Sequence, residues 1–156
     1  MKRILISTIA VSALLFTTSC KTDFDTDVSS VTVTKGNADF TKYVSIGNSL
    51  TSGYRDGALY IDGQNESFPS MIAAQMKLAG GGEFKQPLMA DNLGGIPSVG
   101  FTNKRVLTST MGLGFAAGTG ATTLANIYSA GPYNNMGVPG AKSYHLVAPG
   151  YGNPSN

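Results

Sequence analysis

Beyond Asp91 the chain carries no acidic residue, and Lys104, Arg105 and Lys142 are the only formal charges in the last 65 positions. A segment this poor in charge and this rich in glycine and small side chains is badly matched to solvent, so it must lie against something rather than serve as a solvated linker. Residues 82–130 therefore read as an insertion packed over the domain, beside its functional edge. A damaged fold is the competing reading of the same composition.

The amino terminus narrows the fold from the other side. Lys2 and Arg3 precede an apolar stretch from Ile4 to Phe16, and the small residues Thr17, Thr18 and Ser19 lead to Cys20. This order is that of a secretory signal peptide over residues 1–19. The apolar run is shorter than the roughly 20 residues a membrane-spanning helix needs. Cys20, the only cysteine, stands where a bacterial lipoprotein carries its acyl chains, which resembles a lipobox although Thr17 replaces the usual leucine. An ordinary signal peptide with a chance cysteine is the alternative. Either way a disulfide framework is excluded. Removing the leader takes two of the 11 basic residues and leaves nine against nine acids. A neutral chain lacks the electrostatic footprint of a nucleic-acid binder.

Residues 20–40 are polar and rich in Ser, Thr and Asp, as expected of a lipid-anchored tether, with Val28, Val31 and Val33 offering a short edge strand as the alternative. The acids Asp23, Asp25 and Asp27 are candidates for routing the lipoprotein to the outer membrane or cell surface. Tyr43-Val44-Ser45-Ile46 is β-branched and aromatic and ends at Gly47, which predicts a buried strand running into a turn. From Ser67 the spacing predicts a helix: Ser67 caps it, Pro69 lies in its first turn, Phe68, Ile72, Met76 and Ala79 share a face, and Gly80-Gly81-Gly82 ends it. Residues 149–156 are loop in composition, so the chain reads as ending in mid-domain.

Chemistry concentrates at Gly47-Asn48-Ser49-Leu50. A sharp turn after a strand lifts a serine out of the sheet, where it can act as a nucleophile, although a serine there also commonly caps the next helix. The α/β-hydrolase elbow is excluded because Thr51 stands at its second glycine. Asn48-Ser49-Leu50-Thr51-Ser52-Gly53-Tyr54, followed by Ser67-Phe68-Pro69, resembles the first block of the SGNH (GDSL) hydrolases, and Asn135-Met136-Gly137-Val138-Pro139-Gly140-Ala141 resembles their second.

That resemblance implies an α/β fold of three α/β/α layers around a mostly parallel, flavodoxin-like sheet. The domain would occupy residues 41–156 and be incomplete in this chain. It further implies an esterase or lipase acting on ester bonds of lipids or acylated glycans, with Ser49 as nucleophile and the N–H groups of Ser49 and Gly140 in the oxyanion hole. Glycine suits that role because no side chain blocks the developing oxyanion. A plain turn glycine after Pro139 is the alternative.

The departures from the family pattern matter as much. Asn48 replaces the family's aspartate, and the later blocks G-x-N-D and D-x-x-H, which supply an oxyanion donor and the base with its orienting acid, do not occur. His145, the sole histidine, follows the second block directly and has no acid after it, so it reads as a packed side chain. The chain by itself is expected to be inactive. A non-catalytic surface lipoprotein binding glycan or lipid is the rival reading. Gly112-Leu113-Gly114-Phe115-Ala116-Ala117 matches a dinucleotide fingerprint, yet no acid follows to hold a ribose, so no cofactor is expected. One histidine and one cysteine make no metal site.

Overall fold

The computed structural model describes residues 30–150. The chain divides into two compact units, Met1–Thr32 and Val33–Asn156. Of the first, residues 30–32 are described and are exposed. Residues 1–19, expected to be a signal peptide, and Cys20, Asp23, Asp25, Asp27 and Val28 lie outside the described residues, as do residues 151–156.

In the second unit, residues 33–44 form no strand, and Val33 is exposed. This stretch joins the domain at its end: Phe40 C=O accepts from Gly82 N–H at 3.2 Å, and the Tyr43 ring stacks on Phe84 at 5.2 Å. Strand β1 (Ser45–Gly47) follows, then helix α1 (Ser49–Ser52), α2 (Ile61–Asn65) and α3 (Phe68–Leu78). Next come β2 (Arg105–Leu107), β3 (Leu113–Phe115), α4 (Leu124–Ser129) and β4 (Asn135–Gly137). Short 3-10 turns lie at Pro97–Val99 and Ser143–Val147.

The fold is mixed α/β. β1 and β4 pair in parallel, with Ser45 opposite Asn135 and Gly47 opposite Gly137, while β2 and β3 form a separate antiparallel hairpin. Among the described residues the parallel pair is thus made by the first and last strands, with the hairpin between them in sequence. Helix α1 packs on both of its strands. That approach depends on the paired glycines: a Cβ on Gly47 would stand 2.0 Å from Thr51 Oγ1, and one on Gly137 2.4 Å from Ser52 N.

One expectation about burial needs correction. Strand β1 was expected to be buried, but only Ser45 is; Val44 is 55% exposed and Ile46 59%. The period of two sends Ser45 toward the α1 side and Val44 and Ile46 to the other face, where Met136 of β4 is also exposed. Helix α3 runs from Phe68 to Leu78 with Pro69 in its first turn, and the N–H groups of Gly80 and Gly81 return to Lys77 and Met76. Its buried residues are Pro69 and Ala73, whereas Phe68 is 45% exposed and Ile72 39%. The helix turns its small residues, not its largest ones, toward the described part of the domain. Ser67 makes no side-chain cap; its hydroxyl bonds Gln86 Oε1 at 3.4 Å.

Candidate functional site

Ser49 is the first residue of α1, two positions past the end of β1. Asn48 caps that helix: its Oδ1 accepts from Leu50 N–H at 3.2 Å and its backbone carbonyl from Ser52 N–H at 3.0 Å. An aspartate's acceptor role at this position is therefore filled by the neutral amide. At the other end Tyr54 N–H returns to Ser49 C=O at 2.9 Å, and Ser52 Oγ donates to the same carbonyl at 2.9 Å. The serine is fixed at both edges of a single helical turn.

Gly140 lies three positions past β4, in a turn where Ala141 N–H bonds Val138 C=O. Its φ is +81°, and a Cβ there would meet nothing within 4 Å. Because β1 and β4 run parallel, Ser49 and Gly140 both leave the sheet from its carboxyl edge, the place where ligands bind in open α/β sheets. Both line one cavity of about 680 Å³. Its walls include Tyr54 and Leu59 after α1, Met89 and Ile96 from the long connection, and Val138 beside Gly140.

Asn135, the residue that opens the second block and the first residue of β4, ties this arrangement together through contacts that its place in the motif did not announce. It is 3% exposed, and its amide meets four partners. Nδ2 donates to Thr51 C=O at 2.9 Å and to Gln86 Oε1 at 3.0 Å. Oδ1 accepts from Ser45 Oγ at 3.3 Å and from Gly137 N–H at 3.0 Å. One buried side chain thereby joins the start of β1, the helical turn that carries Ser49, the end of β4 and the loop after α3. The neighbouring Asn134 extends the clamp, donating to Tyr43 C=O and accepting from Lys85 N–H.

A feature missed in the sequence borders the cavity. Arg55 and Ala58 exchange both backbone hydrogen bonds around Asp56 and Gly57, whose φ values are +53° and +77°. This is the primed turn that an Asp-Gly pair favours, and the dipeptide was its available signal. Beneath it lies Tyr60, 2% exposed; its hydroxyl donates to the Asp56 carboxylate and accepts from Arg55 Nε at 2.5 Å. Burial, reinforced by the Asp56 hydrogen bond, pushes the Tyr60 hydroxyl above its usual pKa. The bond to Tyr60, and then that to Glu66, keeps Arg55 charged well beyond its usual range.

His145 sits in the Ser143–Val147 turn. Its ring packs edge-on against Tyr144 at 4.3 Å, and its Nδ1 accepts from Lys142 N–H at 3.3 Å. It is not among the residues that line the cavity. Gly112–Ala117 spans the second strand of the antiparallel hairpin, whereas a dinucleotide fingerprint opens a helix. Among the described residues there is no cluster of three metal-ligating side chains.

No family model, curated protein or solved structure matches the chain.

Proposed function

We propose that this chain is the nucleophile-bearing part of an exported, lipid-anchored serine ester hydrolase of the SGNH type. The observation that carries the reading is the meeting of Ser49 and Gly140 at one cavity, each just past the carboxyl end of one strand of a parallel pair. In this reading Ser49 Oγ attacks the acyl carbon of an ester, the alcohol leaves, and water releases the acid from the acyl-enzyme. The N–H groups of Ser49 and Gly140 receive the oxyanion; losing one such donor costs on the order of 100-fold in rate.

The three-layer SGNH fold belongs to the same proposal. Exposed Val44, Ile46 and Met136 give one side of the parallel pair an apolar face of the kind that an outer layer of such a fold covers. The reaction also needs a base within about 3 Å of the serine. No carboxylate or imidazole lines the cavity among the described residues, so this segment by itself turns over ester at no more than the background rate. That same composition favours a second reading, a surface lipoprotein that holds glycan or lipid in the cavity without cleaving it.

Hydrolysis of p-nitrophenyl esters by the protein isolated from the cells that make it separates the two. Turnover that falls to background in Ser49→Ala supports the hydrolase; turnover unchanged by that substitution rejects it, and ligand retention without turnover favours the binding protein. Export rests on the order of residues before Cys20. Among the described residues no helix is long and apolar enough to cross a membrane.

A further inference from the structure

The cavity beside Ser49 has a chemical character of its own, and it comes from the acid-free half of the chain. Gly94 and Gly95, at φ +77° and +75°, turn the connection back on itself. A Cβ on Gly94 would stand 2.8 Å from the Ala58 Cβ, and one on Gly95 2.7 Å from Phe101 C=O. Only glycine at both positions lets the segment close against the turn before α2. The closure is held by an isolated bridge between Ile96 and Phe101 and by Lys104 N–H bonding Leu93 C=O at 2.8 Å.

The result is a cavity to which Ile96 and Phe101 contribute an apolar wall, together with Leu59, Met89 and Val138. No charged side chain lines the cavity among the described residues, and its side-chain hydroxyls belong to Ser49, Tyr54 and Thr102 alone. A sugar buried there would have three side-chain hydroxyls and the backbone groups of the lining to replace its many hydrogen bonds to water, and each unreplaced one is unfavourable. A methylene chain loses none and gains from every carbon buried.

We infer that residues 94–102 form the specificity wall of the site, and that the cavity takes the alkyl part of an acyl group several carbons long in preference to acetyl. This rests on the proposed hydrolase for the meaning of "acyl group", but the binding it describes does not require Ser49 to react. Val138, next to Pro139 and Gly140, places the cavity's apolar lining directly beside the proposed oxyanion position.

The test uses the full 156-residue chain and a diazirine-bearing decanoic acid, photolysed and mapped by peptide mass spectrometry, with straight-chain carboxylates as competitors. Label is expected on the peptides holding Met89–Thr102 and Val138–Gly140. Each methylene added from butyrate to octanoate should strengthen competition about four-fold, corresponding to ~0.8 kcal/mol per buried CH₂. Phe101→Asp and Val138→Asp, at side chains exposed enough to spare the fold, should each lower that labelling at least ten-fold. Competition by acetate equal to that by octanoate, label confined to the leader or to the Arg105–Phe115 hairpin, or labelling unchanged in both variants would each overturn the inference. No outcome depends on catalysis, so the specificity wall and the nucleophile can fail separately.

Discussion

Replacing Asn135 with leucine keeps the volume of the side chain and removes every hydrogen bond it makes. Four contacts of 2.9 to 3.3 Å disappear. Ser45 and Thr51 belong to buried residues, so the hydroxyl of one and the carbonyl of the other lose a partner where water has little access. A buried polar group left without a partner costs about 1 to 3 kcal/mol, and reorientation of the Ser45 hydroxyl and Gln86 amide recovers part of the loss. The expected destabilisation is therefore about 2 to 4 kcal/mol. With a urea dependence of about 1 to 2 kcal/mol per M for a protein of this size, the unfolding midpoint followed by far-ultraviolet circular dichroism should fall by at least ~1 M. The double variant Asn135→Leu, Ser45→Ala should lose less than the sum of the single variants, because the two side chains share one bond. A midpoint within ~0.3 M of the wild type, or strict additivity, would show that Asn135 does not hold the strands and the serine turn together.

Other expectations follow from the same geometry. Tyr60 and Tyr43 both titrate above the ordinary tyrosine range, chiefly because burial disfavours the phenolate. A folded pKa raised above the unfolded value gives stability that is complete below about pH 10 and is lost as pH climbs through the folded pKa. The urea midpoint should thus stay level up to about pH 10 and drop above it, with a shallower drop in Tyr60→Phe; a slope unchanged by that substitution contradicts the assignment. Gly47→Ala places a Cβ against Thr51 Oγ1 and should destabilise by about 1 to 3 kcal/mol in urea unfolding, whereas Gly140→Ala, with open space around its Cβ, carries only the strain of a positive φ. Cys20→Ala should move the protein from the membrane to the soluble fraction, and continued sedimentation with membranes contradicts lipid anchoring.

Local signals in the sequence carried the backbone around the site. The β-branched run before Gly47, the Pro69 start and the triple-glycine stop each depend on a few neighbouring residues, and each element formed within a residue or two of its expected place. Burial did not follow, because which face of β1 or α3 is covered depends on partners distant in sequence. Asn135 shows the limit most clearly: its contact with Thr51 spans 84 residues, and nothing in Asn134-Asn135 as a dipeptide distinguishes a buried clamp from a surface turn. Ser67 shows a competition between partners, since its local capping bond gave way to Gln86, 19 residues away. The Asp56-Gly57 turn was legible and was passed over beside the stronger pattern at Ser49. The cavity wall was not legible in detail: the acid-free composition suggested packing against something, while the bridge of Ile96 with Phe101 needed the folded backbone.

The central claim is that Ser49 is a nucleophile, and covalent labelling tests it most directly. Protein isolated from the cells that make it is treated with a fluorophosphonate, and the modified peptide is sequenced by mass spectrometry. The account predicts a single phosphonyl adduct on Ser49, absent from Ser49→Ala and slowed in Asn135→Leu. An adduct on another serine, or no adduct while p-nitrophenyl ester turnover persists, would contradict it.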